Sequence, residues 1–163
     1  MPINCLTARL PSCATLLPLA LAALALSGCS TPTAMAPRSN LTRDSAIMMA
    51  QRTAEAAGGR VFTIAPTGSM IPTLDENSVV TVETVVFGQL RKGDIIIYRN
   101  SAGVPIVHRL YEQASGSWIV LGDNNGAVDR EAVTPENLLG RVCAIFYTAS
   151  GPQGAAPTAL AQR

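Results

Sequence analysis

The stretch DIIIYRNSAGVPIVHRLYEQASGSWIVL, residues 94–121, holds three apolar runs parted by short polar breaks. Its runs, 94–98, 104–111 and 118–121, are rich in Ile, Val and aromatic side chains, which pack well on a pleated surface. Asn, Ser and Gly between them supply turns, so the runs read as short strands. Working outward, 60–64, 78–86 and 140–148 have the same character. On the N-terminal side, Thr42 is a helix cap, Ile47, Ala50 and Ala54 fall at helical spacing, and Gly58-Gly59 is a stop, which predicts one helix over 43–57. One helix followed by six short strands predicts a mainly β domain, with no internal repeat.

At 163 residues and 48% apolar content, the chain suits one compact domain with a modest core, and hence one site. Lys and Arg number 12 against 11 acids, and with Arg9 in a segment expected to be removed the rest balance, which leaves no basic surplus to attract nucleic acid. Aromatic residues make up only 4%, too few for a base-stacking platform.

The N-terminus reads differently from the body. Arg9 precedes an apolar stretch, 14–26, that ends in Leu26-Ser27-Gly28-Cys29 and has the form of a secretion signal. That stretch contains Pro18 and is shorter than the roughly 20 apolar residues a bilayer-spanning helix needs, so a permanent transmembrane helix is not expected. Leu26-Ser27-Gly28-Cys29 resembles a bacterial lipobox. The resemblance implies removal of 1–28 and acylation of Cys29, with the protein held by lipid on the extracytoplasmic, periplasmic side of a bacterial cell envelope. By the same resemblance, Ser30 suggests sorting to an outer membrane. Residues 29–41, polar and Pro-bearing, read as a flexible tether, 42–150 as the folded domain, and 151–163, without apolar periodicity, as a disordered tail. Cys5 and Cys13 fall in the leader, which leaves Cys29 and Cys143 and no disulfide framework. Cys143, inside Val142-Cys143-Ala144-Ile145-Phe146, is expected to be a small buried thiol.

A hydroxyl attacks a carbonyl only when a base takes its proton and donors hold the developing oxyanion. Ser69 lies in Thr67-Gly68-Ser69-Met70-Ile71-Pro72-Thr73-Leu74, beside a proline-stiffened turn that would expose it; a Gly-Ser pair serves equally as a plain turn. His108, the sole histidine, is the natural base near neutrality, and strand alternation sets it on the face opposite Val107 and Arg109. A lone strand histidine also suits a structural role. Lys92, the sole lysine, sits between Arg91 and Gly93-Asp94 and reads as a solvated loop charge rather than a desolvated base. Gly122-Asp123-Asn124-Asn125-Gly126-Ala127-Val128-Asp129-Arg130 is either a hairpin turn or a loop that offers a carboxylate to His108.

Together, these segments resemble signal peptidase I. Gly68-Ser69-Met70-Ile71-Pro72-Thr73-Leu74 looks like its nucleophile box, and Lys92-Gly93-Asp94-Ile95-Ile96-Ile97-Tyr98 like the following strand box. Where the usual bacterial enzymes carry a lysine base, this chain has Val107-His108-Arg109, as in the histidine-using endoplasmic-reticulum and archaeal type. Gly122-Asp123-Asn124-Asn125 with Asp129 is similar to the last box. The resemblance covers about 63–147 and implies the β fold shared by signal peptidases and self-cleaving repressors. It implies Ser69 as nucleophile, His108 as general base, Asp129 as its orienting partner, Asp123 as a supporting carboxylate, and an oxyanion site made by the Ser69 amide and the Thr67 hydroxyl. Val128 departs from the pattern, standing where the histidine type tends to have another aspartate.

The implied activity is that of a membrane-anchored serine endopeptidase cutting exported or envelope proteins after small residues. Its partners are then a protein or peptide substrate and, through the N-terminal lipid, a membrane. No metal or other cofactor is expected. The repressors' cleavage dipeptide is resembled by Ala57-Gly58, which lies too close before Ser69 for the chain to loop back, and no DNA-binding helical domain precedes it. The alternative is a non-catalytic envelope lipoprotein that uses the same β fold as an interaction module.

Overall fold

A computed structural model describes residues 35–149. The leader 1–28, Cys29, the first part of the tether 29–41 and the tail 151–163 lie outside the described residues.

The described chain is mainly β, with one α-helix, α1 (Arg43–Ala57), and the strands β1 (Arg60–Thr63), β2 (Ser78–Glu83), β3 (Ile95–Arg99), β4 (Pro105–Ala114), β5 (Ser117–Leu121) and β6 (Leu138–Tyr147). The strands form one six-stranded sheet in the order β1-β2-β6-β3-β4-β5, antiparallel at every pairing. Helix α1 starts where the Thr42 hydroxyl accepts from the Ser45 amide, and ends at Gly58, whose φ of 62° is the left-handed conformation that a helix cap favours. Its buried residues are Ala46, Ala50 and Ala54. Such small side chains let the helix lie close on β2, where the Thr81 hydroxyl donates to the Ala50 carbonyl at 2.9 Å. Ala46 and Ala50 pack there with Val79, Val61 and Phe146.

Strand β6 joins the two halves of the sheet. Its C-terminal part pairs with β2, and its N-terminal part, from Arg141 back to Leu138, pairs with β3. Strand β2 stops at Glu83 although Thr84-Val85-Val86 has strand composition, because its registered pairing with β6 ends there, at Arg141, and its pairing with β1 ends at Val82. Val85 turns into the core, Val86 is exposed, and a 3-10 turn follows at Phe87–Gln89.

At the other end, β4 runs on to Ala114 in a hairpin closed by Ser115 and Gly116, with φ 49° and 81°. Positive φ at both turn residues matches the right-handed twist of the strands they join. Polar Glu112 and Gln113 hide this extension from a hydrophobicity reading.

The strand faces divide the core. Ile96, Leu110, Trp118, Val120 and Val133 form one cluster, and Ile64, Met70, Leu74, Val80, Val82 and Ile97 another. His108 lies on the first face with Leu110, whereas Val107 packs into the second cluster.

Two sequence expectations need correction. Cys143 is exposed, not buried. Ala144 pairs with Thr81 and Val142 with Val82, so Cys143 is the extra residue of a β-bulge and escapes the alternation that would have turned it inward. The part of the expected tether that is described is held to the domain: Ala36 is buried, the Ser39 hydroxyl donates to the Tyr147 carbonyl, and Ala149 N–H donates to Leu41 O at 2.9 Å.

Candidate active site

Ser69 lies past β1 in a segment of consecutive turns, with Thr67 N–H donating to Ala65 O, Ile71 N–H to Gly68 O, and both Thr73 and Leu74 N–H to Met70 O. Met70 and Leu74, each 1% exposed, anchor this segment in the core. Burying a side chain of this size stabilises by about 1.5–3 kcal/mol, which sets the path of the backbone on either side. The flanking Ser69 stays partly open to solvent.

His108 comes from the middle of β4, paired with Ile96 of β3. Its Nε2 is 3.2 Å from Ser69 Oγ and its Nδ1 is 2.6 Å from Asp129 Oδ2. A carboxylate only accepts, so Nδ1 carries the proton and Nε2 offers its lone pair to the serine hydroxyl. The three side chains therefore form one directed chain, Ser69 O–H to His108 Nε2 and His108 Nδ1–H to Asp129. The His108 side chain is only 8% exposed, which keeps competing water from most of the ring. Thr67 Oγ1 lies 3.3 Å from Ser69 Oγ, so a second hydroxyl borders the serine.

Asp123 sits elsewhere in the arrangement. Arg109 donates to it twice, Nε to Oδ1 at 2.7 Å and Nη2 to Oδ2 at 2.6 Å, and the Thr73 hydroxyl donates to Oδ2. Burial alone would raise the pKa of this carboxyl, but the hydrogen bonds from Arg109 and Thr73, with the Arg109 charge, outweigh it and hold Asp123 below the usual carboxylate range. These bonds tie the loop to two neighbours of the site: Arg109 follows His108 on β4, and Thr73 closes the serine segment.

Three residues, Asn124, Gly122 and Tyr98, make contacts that the sequence reading did not assign. Asn124 N–H donates to Ser69 O at 2.9 Å, and its Nδ2 donates to Gly68 O at 3.1 Å. Gly122 fits tightly here: a Cβ on it would be 2.7 Å from Ser69 O. Tyr98, buried on β3, donates its hydroxyl to Asp129 Oδ2 at 2.6 Å. Lys92 is on an exposed turn, with Nζ 5.0 Å from the centroid of the Tyr111 ring. Val128 is exposed beside Asp129. An open cleft of about 600 Å³ adjoins the histidine and is lined by Tyr98, Ile106, His108, Asn124, Val128 and Asp129 among others.

The arrangement is chemically suited to withdrawing a proton from a serine hydroxyl through a neutral imidazole held by a carboxylate. No family model matches the chain. Over 76 residues it is 32% identical to signal peptidase I W of Bacillus subtilis (strain 168), a stretch that covers 44% of this chain and 40% of that protein. The chain thus spans less than half the length of this relative, and the relationship is signal peptidase I-like over that part.

Proposed function

We propose that this chain is a membrane-associated serine endopeptidase of the signal peptidase I kind, with 42–150 as its catalytic domain. The observation that supports this reading most is the pair of hydrogen bonds, 3.2 Å and 2.6 Å, linking Ser69, His108 and Asp129 in order. Partial similarity to a signal peptidase I adds to it.

In the proposed reaction His108 Nε2 takes the Ser69 proton while Ser69 Oγ attacks the carbonyl carbon of the scissile bond. The oxyanion is held by the Ser69 amide and the Thr67 hydroxyl, and the imidazolium by Asp129 through Nδ1–H. His108 then protonates the leaving amine, the C–N bond breaks and an ester to Ser69 remains. Water, deprotonated by His108, hydrolyses the ester and restores the serine. The substrate is an extended segment with small residues before the cut, such as the Ala-x-Ala end of an export signal, as the resemblance implies. Acylation at Cys29 would hold the site at the extracytoplasmic face of a membrane; among the described residues no helix is long and apolar enough to cross one.

The test is cleavage of a precursor bearing an Ala-x-Ala export signal by the full-length protein in lipid, beside Ser69→Ala and His108→Ala. Site-specific cleavage abolished in both folded variants is the expected result. Activity surviving in His108→Ala would overturn the assigned base, and no cleavage by the wild type of this or other envelope precursors would overturn the peptidase reading.

A further inference from the structure

We infer that Tyr98 is a positioning residue of the site, a fourth member of the hydrogen-bonded series that fixes Asp129 for His108. The catalytic part of this inference rests on the peptidase reading above; the hydrogen-bonded part stands without it. Tyr98 Oη and His108 Nδ1 both reach Asp129 Oδ2, each at 2.6 Å. A carboxylate on a loop turns about its side-chain bonds unless something holds it, and one donor does not define its plane. Tyr98 is 3% exposed, with its ring packed in the core beside Ile96 and Leu110, so its hydroxyl is a fixed point rather than a solvated group.

The hydroxyl also remains a donor. Burial raises its pKa, and the hydrogen bond to Asp129 together with the charges of Asp129 and Glu131 raises it further, so the phenol keeps its proton throughout the neutral range. A second charge-assisted bond on Oδ2 fixes the carboxylate and draws off part of its negative charge. Asp129 is thereby held in one orientation toward the imidazole. The titratable groups that face the array are few: Ser69 and Asp129 meet His108, Asp123 acts on it through space while paired with Arg109, and Glu131 acts on Tyr98. Val128, exposed next to Asp129, leaves no second carboxylate at that position to share the work.

The test is Tyr98→Phe in the full-length protein, which keeps the ring and removes the oxygen. We expect kcat to fall about tenfold, at the low end of what a hydrogen bond to a charged group contributes, with KM within about twofold. The acid limb of the pH–rate profile should move to higher pH, because an undivided Asp129 charge favours the imidazolium. The chain has one histidine, so its Nδ1–H resonance, told from the Tyr98 hydroxyl proton by its coupling to nitrogen-15, should move downfield in the variant. A role confined to packing would lower the melting temperature and leave the acid limb and the resonance in place, which would overturn the inference.

If the wild type cleaves nothing, the peptidase reading fails, and the Nδ1–H resonance alone decides on Tyr98: movement sustains the coupling and no movement overturns it. If Tyr98→Phe does not fold, the wild type still answers. A Tyr98 hydroxyl proton held at 2.6 Å should appear as a slowly exchanging downfield resonance, and its absence would overturn the inference.

Discussion

Gly122→Ala places one methyl group against the backbone of the proposed nucleophile. The new Cβ would lie 2.7 Å from Ser69 O and 2.7 Å from Asn125 Nδ2, against 3.4 Å or more for ordinary contact. The Asn125 amide can swing aside; the Ser69 carbonyl belongs to the main chain. Gly122 is not in the positive-φ region, so backbone preference adds nothing and the contact alone is tested. Relief requires the loop and the Ser69 segment to separate by about 0.7 Å, which breaks the 2.9 Å bond from Asn124 N–H to Ser69 O and stretches the 3.2 Å serine–histidine contact beyond hydrogen-bonding range. A misplacement of about 1 Å can cost roughly a hundredfold in rate, so kcat should fall about ten- to a hundredfold. Overpacking of this kind costs about 1–3 kcal/mol, or roughly 5–15 °C in Tm for a domain of this size. Single-turnover cleavage and thermal melting measure the two effects. Adding Asn125→Ala should not restore the rate, because the main-chain contact persists. A Gly122→Ala protein within threefold of wild-type kcat would refute the claim that this loop, seated on Ser69, sets the reacting distance.

Arg109→Met removes both guanidinium donors to Asp123, leaving only the Thr73 hydroxyl of the three described, and should destabilise the domain at neutral pH. Asp123 has a depressed folded-state pKa, so its contribution is present above about pH 4 and is lost as pH falls; the gap in urea midpoint between wild type and variant should close on acidification. Leu110→Ala, at a position 1% exposed beside His108, should cost about 2–5 kcal/mol in urea denaturation. Cys143 is exposed, yet burial of its thiol and the nearby Glu83 charge push its pKa up; its share of thiol labelling, taken as the difference from Cys143→Ser, should be slow at pH 7–8 and accelerate only at higher pH.

The helix was legible to the residue, because Thr42 and Gly58 mark its two ends and Ala50 and Ala54 mark its inner face. The strands were legible in place but not in extent. Extent depends on having a neighbour: β2 ends early where its pairing with β1 and β6 runs out, and β4 runs long where a turn with two positive φ values feeds β5. Bulges are a matter of register, so the exposure of Cys143 could not be read from an apolar run. Ser69, His108 and Asp129 could be named together only through the resemblance of their segments to signal peptidase I; the residues alone left the turn, the lone histidine and the choice between Asp123 and Asp129 open. Tyr98 could not be named. A tyrosine ending a run of three isoleucines reads as a β-former, and its bond to Asp129 depends on both the β3–β4 register, with Tyr98 opposite Ile106, and the return of a loop from the far side of β5.

The distances at the site belong to that loop more than to the sheet. Alternation along β4 sends adjacent residues to opposite faces, yet both grip the same loop: His108 holds Asp129 and Arg109 holds Asp123. Between these holds, Asn124 seats the loop on Gly68 and Ser69. Beyond them, Glu131 accepts from Ser101 N–H and Oγ, and Asp129 N–H donates to Val120 O. A chain pinned at so many points has little freedom left to lose on binding a substrate, so orientation is established in the fold and need not be made at each encounter. The Ser69 segment is short, and its anchors in the core, Met70 and Leu74, flank Ser69 without holding its distance to β4. Asn124 and Gly122 supply that restraint from the same loop that carries Asp129. The proposed nucleophile and base are thus registered against one common element, and a displacement of the loop disturbs both of their hydrogen bonds together.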